Sequence, residues 1–282
     1  MPFKIDHNSY GKSKVRLTKV TRNGDVHELK ELSVDVLLRG DFQPSYTDGD
    51  NTKIVATDSM KNTVYVVAKE NRFASTEEYA LLLARHFVAT YAHVDEAQVD
   101  VFEQPWKRIV VNENPHDHAF ESGGNEEGTV TAIVTRQKAT LTSGLRNLLV
   151  LKTTGSGFSD FVRDRYTTLK DTTDRIFATS VTATWEWSKV DGVDFVLLNA
   201  TIRSAMLDAF ASTYSLAVQQ TLNLMAEAAL NAVPDISSVT ITMPNKHRLL
   251  VNLAPFGLTN DNEIFVPTDE PHGLITGKIS RK

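Results

Sequence analysis

The stretch V-T-A-T-W-E-W, from Val181 to Trp187, alternates apolar and polar side chains along its length. Successive side chains of a β-strand point to opposite faces, so this spacing places Val181, Ala183 and both tryptophans on one face. A strand with one apolar and one polar face is typical of an antiparallel sheet that is packed on one side. The stretch therefore predicts an α+β protein in which helices cover one face of an antiparallel sheet.

A similar order of elements is predicted twice along the 282 residues. In the first half, Asn23-Gly24 predicts a hairpin between two long strands, and a capping box of Ser75 and Glu78 predicts the start of a buried helix. Each half is predicted to follow the order strand, strand, helix, strand, strand. The strands leave sheet edges without a helical cover, which favours sheets that continue across subunits. We expect two tandem domains, residues 1–137 and residues 138–282.

Helical patterns in the second half fall at about Ser204–Phe210 and Ser215–Ala232, and Pro234 stops the second one. Apolar residues recur on one stripe of the second segment, as is typical of a helix that packs on a sheet. The residues of this stripe are Val218, Leu222, Met225 and Ala229.

Composition excludes several classes of protein. The formal net charge is -5, which argues against a general nucleic-acid binder. Cysteine is absent, which excludes disulfides, thiolate metal sites and cysteine nucleophiles. No stretch approaches the roughly 18 apolar residues of a membrane helix, and neither a signal peptide nor a C-terminal S-K-L peroxisomal signal is found. We therefore expect a cytoplasmic protein with no membrane partner.

A dense polar segment interrupts the first half. V-A-T-D-S-M-K-N-T-V-Y, from Val55 to Tyr65, is apolar at both ends and carries Thr57, Asp58, Lys61 and other polar residues between them. Composition alone indicates an interruption between β-like flanks, and Asp58 could be a simple turn residue.

Three other patterns are compatible with chemistry and with ordinary structure. His116 and His118 are two residues apart and could bind zinc or copper, but no third ligand has a convincing spacing. Thr154–Phe158 contains two glycines without matching a phosphate-binding fingerprint, and it could be a turn or could present Phe158 to a ligand. Met243–His247 fits a turn between strands, and no motif of a serine or cysteine hydrolase is found.

Taken together, the motifs resemble the urate oxidase (uricase) family, in its bacterial form. The resemblance runs in order from about residue 10 to residue 280. It is carried by Y-G-K from Tyr10, V-A-T-D-S and K-N-T-V-Y, L-K-T-T-G-S-G-F, R-D-R-Y-T-T-L-K-D-T-T-D-R-I, S-L-A-V-Q-Q-T, P-N-K-H and G-L-I from Gly273.

The resemblance implies two tandem tunnelling-fold (T-fold) domains. Each is an antiparallel four-stranded sheet with helices on its outer face, and the chains form homotetramers whose sheets close into barrels. The implied reaction oxidises urate with O2 and water to 5-hydroxyisourate and hydrogen peroxide, with no metal and no organic cofactor. The implied partners are urate, O2 and further copies of the chain.

The resemblance also implies roles for particular residues. The ligand would be gripped by Arg175 and Gln219, which offer a charged fork and a primary amide, and would stack on Phe158. A Lys12–Thr57 pair with His247 would move the proton, and Asn245 would hold O2 or water over the ring. In the family the Thr–Asp pair comes from the neighbouring subunit. The remaining contacts would come from the backbone of Asp58, the backbone of Val218, and Ile275.

Alternatives stay open at this point. His247 could form structural hydrogen bonds only, and His118 is taken as structural. A different purine or pterin enzyme of the same fold needs a zinc triad or a catalytic Cys, which are not found in this sequence. A ring-forming, ligand-binding protein without catalytic activity is the alternative from another class.

Overall fold

The computed structural model describes residues 3–282. The chain divides into two compact units, Met1–Gly144 with Glu186–Val196, and Leu145–Trp185 with Leu197–Lys282. Within the described residues, no helix is long and apolar enough to span a bilayer.

The first unit contains an antiparallel sheet with strands in the order β1-β2-β3-β6. The predicted hairpin between β1 and β2 is confirmed, because Asn23 pairs with Val26 across a turn in which Gly24 has φ of 65°. Helix α3 packs on β3 and β6, and α2 packs on β1. The elements are β1 (Tyr10–Asn23), β2 (Val26–Gly40), α1 (Gln43–Thr47), α2 (Thr57–Glu70), α3 (Thr76–Thr90), β3 (Val94–Gln104), β4 (Trp106–Val111), β5 (Asn114–Ser122) and β6 (Glu127–Thr135).

The second half of the chain repeats this plan with strands in the order β7-β8-β9-β12. In each half a two-stranded hairpin precedes the last strand of the sheet: β4 with β5 in the first, β10 with β11 in the second. Helix α5 packs on β9 and β12, as α3 does on β3 and β6. The elements are β7 (Ala139–Lys152), β8 (Phe177–Trp187), α4 (Phe195–Ser212), α5 (Val218–Ala232), β9 (Ile236–Asn245), β10 (Arg248–Leu250), a 3-10 turn (Ala254–Phe256), β11 (Phe265–Pro267) and β12 (Gly273–Ser280).

The periodic patterns correctly identify the core. All four predicted inward residues of β8 are buried, and the predicted stripe of α5 is buried as well. In the first unit, Val34, Val36 and Leu38 of β2 alternate with more exposed neighbours and are fully buried. Burial of each such side chain contributes about 1.5–3 kcal/mol, so the buried faces of the sheets and helices supply most of the stabilisation.

Basic side chains from the sheets hold the C-terminal ends of the helices in the first unit. Lys19 of β1 donates from Nζ to the carbonyls of Ala68 (2.6 Å) and Asn71 (2.5 Å) at the end of α2. Arg136, directly after β6, donates to the carbonyls of Tyr91 (3.3 Å) and Ala92 (2.7 Å) after α3. The last carbonyls of a helix lack partners within the helix and carry partial negative charge. A basic side chain there donates hydrogen bonds to these carbonyls and also balances their charge.

In the second unit, basic side chains at equivalent positions also donate to the carbonyls at the C-terminal ends of the helices. Lys152 of β7 donates to the carbonyls of Phe210 (3.4 Å) and Thr213 (2.6 Å) at the end of α4. Arg281, directly after β12, donates to the carbonyls of Leu230 in the last turn of α5 and of Val233 (3.1 Å) and Ile236 (2.9 Å) after it. In each half, a lysine from the first strand therefore caps the C-terminal end of one helix, and an arginine after the last strand caps that of the next helix. Burial lowers the pKa of both Lys19 and Lys152.

Two element predictions were wrong. The polar segment from Val55 is the start of α2, so the first half has two successive long helices where the sequence predicted one. The segment lacks a capping side chain, because Ala56 is its N-cap residue, and its β-branched residues favour strands. Helix α4 begins at Phe195, earlier than predicted. The capping box of α3 is confirmed: Ser75 accepts from the backbone of Glu78, whose side chain accepts from Ser75.

Replacing Lys19 with Met should lower the free energy of unfolding by about 1–2 kcal/mol, because two carbonyls at the end of α2 lose a charged donor. Urea unfolding at matched protein concentration measures this loss. Lys30→Met is the matched control: Lys30 lies opposite Lys19 in the β1–β2 register, and its ammonium pairs with Glu103 instead of a helix end. Equal losses in the two variants would contradict the capping role.

Candidate active site

Helix α2 begins with two of the predicted site residues, Thr57 and Asp58. Its N-cap residue, Ala56, provides no side-chain hydrogen bond, in contrast to the full capping box of α3. The first hydrogen bond of the helix joins the Met60 N–H to the Ala56 carbonyl. The first-turn N–H groups are therefore not capped by a side chain, and such groups favour an anionic ligand.

The side chain of Asp58 is occupied by its own helix. Its carboxylate accepts from Lys61 Nζ at 2.5 Å and from Asn62 Nδ2 at 3.3 Å. The Lys61 ammonium is the main reason why the pKa of Asp58 lies below its usual value. This arrangement explains the dense polar composition of the segment, and it leaves the backbone of Asp58 as the group that could contact a ligand.

Lys12 lies near the same helix end. It follows Tyr10 and Gly11 on β1, and its charge contributes to the lowered pKa of Asp58. Gly11 is required for this course of the strand, because a Cβ atom there would meet the Val36 carbonyl oxygen at 1.7 Å. Lys12 thus lies within electrostatic reach of the Asp58 carboxylate, and Thr57 is the residue before Asp58 at the start of α2.

In the second unit, Phe158 and Arg175 are neighbours. The Arg175 guanidinium carbon lies 5.4 Å from the centroid of the Phe158 ring. Phe158 and Thr172 exchange backbone hydrogen bonds of 2.8 and 3.0 Å, which joins the two segments that carry these side chains. Burial lowers the pKa of Arg175, whose charge then acts with less screening by water. A cation beside an aromatic face suits a flat anion.

The loop before Phe158 is fixed to the start of α5. The Gly157 N–H donates to the Ser215 carbonyl (2.8 Å), and the Ser215 N–H donates to the Gly155 carbonyl (2.9 Å). Gly155 has φ of 72°, and a Cβ atom on Gly157 would lie 2.6 Å from the Tyr214 hydroxyl. Both glycines are therefore structural requirements of the turn that presents Phe158.

Helix α5 starts as α2 does, with an alanine N-cap. Ala217 offers no side-chain hydrogen bond, and Val218 and Gln219 are the first two helical residues. Val218 is buried, whereas the Gln219 side chain is exposed. Gln220 accepts from the Leu216 N–H at 2.9 Å, one residue before the N-cap. Both glutamine side chains are exposed, and they differ in that Gln220 supports the chain entry through this hydrogen bond.

The remaining predicted residues lie where β9 ends and β12 begins. Asn245 pairs with Gly273, and Ile275 pairs with Met243 two positions further. The Lys246 N–H donates to the Ala178 carbonyl (2.9 Å), which places this strand end beside the start of β8, just after Arg175. The backbone carbonyl of His247 accepts from Thr268 N–H at 3.0 Å.

Each predicted site residue therefore belongs to one of two clusters. The first unit holds three of them, and the second unit holds Phe158, Arg175, Val218, Gln219, Asn245, His247 and Ile275. The two alanine N-caps, Ala56 and Ala217, were missed in the sequence, because alanine is a poor N-cap residue and gives no local signal of a helix start.

His116 and His118 have rings 4.7 Å apart in a T-shaped arrangement on the β4–β5 hairpin. Across residues 3–282, no cluster of three or more His, Asp or Glu side chains has a geometry that could hold a metal ion.

Comparisons with known proteins agree on one family. A family model described as uricase matches residues 8–132 and 141–276. The uricase of Arthrobacter globiformis is 45% identical over 278 residues, covering 99% of this chain and 90% of that protein. The uricase of Dictyostelium discoideum is 42% identical over 278 residues, covering 97% and 96%.

Solved structures agree. The crystal structure of the Arthrobacter globiformis uricase matches with a TM-score of 0.94 at 44% identity, over 99% of this chain and 96% of that chain. The urate oxidase of Bacillus sp. TB-90 matches with a TM-score of 0.84 at 22% identity, over 98% and 100%, which shows a shared fold.

Replacing Ala217 with Ser should stabilise the protein by about 1 kcal/mol and raise the KM for urate several-fold, because the new hydroxyl would take a first-turn N–H of α5. Thermal unfolding and steady-state kinetics measure the two effects. Ser75→Ala is the control: it removes the cap of α3 and should lower stability without changing KM. An unchanged KM in Ala217→Ser would show that the ligand does not use this helix end.

Proposed function

Because the chain belongs to the uricase family, we propose that it oxidises urate with O2 and water to 5-hydroxyisourate and hydrogen peroxide. The family, the T-fold class with two tandem domains, and the enzyme class predicted from the sequence are confirmed by the family match and by relatives with 45% identity over nearly the whole chain. The residue roles, the domain boundary at 137/138 and the quaternary structure are part of the proposal.

The observation that best supports urate as the ligand is the contact between Arg175 and Phe158 beside the uncapped start of α5. Urate is a flat monoanion at neutral pH. The Phe158 ring can stack on the purine, a contact worth about 1–3 kcal/mol by analogy with base–aromatic stacking. The Arg175 fork can donate to a carbonyl and an anionic nitrogen, while the Gln219 amide and the Val218 N–H bind the opposite edge.

Reaction with O2 requires a more electron-rich urate, so a proton must leave the monoanion. We assign this step to Thr57, whose hydroxyl is a weak base alone and takes the proton from urate only as it passes its own proton to Lys12, which enters the step as the neutral amine and leaves it as the ammonium. His247 takes part in passing the proton on. Asn245 binds O2, and later water, over the ring through its side-chain amide.

We propose a site made from two subunits, as the family resemblance implies. In this proposal one subunit contributes Lys12, Thr57 and Asp58, and its neighbour contributes the binding groups of the second unit. The chains form a homotetramer whose sheets close into barrels. A cytoplasmic location and a reaction that needs neither metal nor organic cofactor also stay predictions.

The activity test is direct. The purified protein in air should consume urate, seen as loss of its ultraviolet absorbance, and should produce one equivalent of peroxide per urate. Prior dialysis against EDTA should leave the rate unchanged. No urate loss in the native oligomer would reject the proposed function, and inhibition by EDTA that added metal reverses would reject the cofactor-free reaction.

Mixed oligomers test the shared site. Thr57→Ala should lower kcat by about 10²–10³ with a smaller change in KM, because proton transfer belongs to the transition state. Arg175→Ala should raise KM sharply. In oligomers assembled from both variants, about a quarter of sites at random pairing would combine an intact Thr57 with an intact Arg175.

Such mixtures should therefore regain activity well above that of either variant alone. A mixture that stays as inactive as its components would place both groups in one subunit. Thr63→Ala, which removes a hydroxyl bonded to the Ser59 carbonyl on the same helix, is the control that should keep wild-type kinetics.

A further inference from the structure

Tyr10 joins the first strand to the segment that leads into α2. Its hydroxyl accepts from the Val55 N–H at 2.7 Å and donates to the Val55 carbonyl at 3.3 Å, across 45 positions of sequence. The ring packs edge-on against buried Phe42, with centroids 4.8 Å apart. Burial raises the pKa of Tyr10, so the hydroxyl keeps its proton over the working pH range and can donate and accept at once.

The contact between Tyr10 and Val55 links the backbones of Lys12 and Thr57, the two residues of the proposed proton-transfer pair. Tyr10 and Lys12 are two residues apart on β1, so their side chains leave the strand on the same side. Val55 is two residues before Thr57. The path from the Lys12 backbone to the Thr57 backbone therefore runs through Tyr10, one hydroxyl and three residues of the helix entry.

Other contacts act mainly on the earlier part of that helix entry: the Lys53 ammonium pairs with Asp41, and the Ile54 N–H donates to the Asn51 carbonyl at 3.0 Å. Between the end of α1 at Thr47 and the start of α2 at Thr57, the chain has no strand or helix. The N-cap Ala56 makes no side-chain hydrogen bond, so the usual device that fixes the first turn is absent. The Tyr10 hydroxyl, which binds both backbone groups of Val55, takes over this role from a distant strand.

We propose that Tyr10 is a positioning residue that sets the Thr57 hydroxyl against the Lys12 amino group. The inference rests on the proposed urate oxidase activity and deepens it: Tyr10 does not touch urate, O2 or the transferred proton. Its two hydrogen bonds keep the start of α2 in register with β1, and a displacement of about 1 Å between reacting groups can cost about a hundredfold in rate.

The test is the variant Tyr10→Phe, which keeps the ring on Phe42 and removes only the hydroxyl. We expect kcat for urate to fall by about ten- to a hundredfold while KM changes by less than about threefold, because all the proposed binding groups except the Asp58 backbone lie in the other cluster. The pH profile of kcat should also shift, since the Lys12–Thr57 pair is disturbed. Sedimentation should show the same oligomer as wild type.

Tyr46→Phe is the matched control. The Tyr46 hydroxyl donates to the backbone carbonyl of Ser9 at 3.1 Å, next to Tyr10, on an exposed side of α1. The substitution removes a tyrosine hydroxyl close to Tyr10 and leaves the hydrogen bonds of Val55 unchanged. We expect wild-type kcat, KM and pH profile. An equal loss of kcat in both variants would reduce Tyr10 to a general contributor to stability and overturn the inference.

Hydrogen exchange provides a readout that needs no active variant. In the wild-type protein the Val55 amide should be protected, and in Tyr10→Phe the segment from Lys53 to Ser59 should exchange faster than in wild type or Tyr46→Phe. A wild-type Val55 amide that exchanges as fast as an open loop would overturn the inference even if the variant fails to fold. Wild-type kcat in a folded Tyr10→Phe would do the same.

These results distinguish a failure of the proposed function from a failure of the positioning role of Tyr10. If wild type does not oxidise urate, the proposed function itself fails. If wild type is active and Tyr10→Phe is equally active, the function stands and the positioning role of Tyr10 falls.

Discussion

The helices of this protein are held by the sheets at their C-terminal ends, and two of them are left open at their N-terminal ends. Lys19, Arg136, Lys152 and Arg281 each satisfy carbonyls at the end of one helix, where partial negative charge accumulates. A charged donor at that end stabilises the helix and offsets part of the cost of a missing cap at the other end. The N-termini of α2 and α5 can therefore leave their N–H groups for a ligand, as the alanine N-caps indicate.

This arrangement also accounts for the duplicated plan. The capping lysine lies on the first strand of each half, and the capping arginine directly follows the last strand. The correspondence is one of position and chemistry, and it survives although the two halves show no visible sequence identity. Core residues are interchangeable at about equal volume, whereas the carbonyls at a helix end need a donor at a fixed place, so the halves can correspond in position and chemistry without sequence identity.

The sequence predicted the strands and the capped helix because their signals are local. Alternation in β8 and the Ser75 capping box each lie within a few residues, and both are confirmed. Helix α2 was missed because its start lacks a local signal and its stabilising cation, Lys19, is 49 positions from Ala68. The same holds for Tyr10 and Val55. Interactions across such distances leave no periodic pattern in one sequence.

The site residues show the same limit. Local patterns left Thr154–Phe158 open between a turn and a ligand contact, and only the family resemblance assigned Phe158 and Arg175 a shared task. The structure joins them through backbone pairing of Phe158 with Thr172, and it ties both to α5 through Ser215. The glycines that looked like an incomplete phosphate motif are explained by a positive φ at Gly155 and a close approach at Gly157.

The two open helix ends differ in the residues that follow their alanines, and this difference fits a division of tasks between the halves. Val218 and Gln219 are uncharged and suited to recognition of an anion. Asp58 carries a negative charge that would repel urate, yet the helix N-terminus favours a carboxylate there. Lys61 and Asn62 resolve this conflict, because both bind the carboxylate and Lys61 offsets its charge. The first half can thus keep a helix-stabilising acid beside the groups proposed to handle a proton from an anionic substrate.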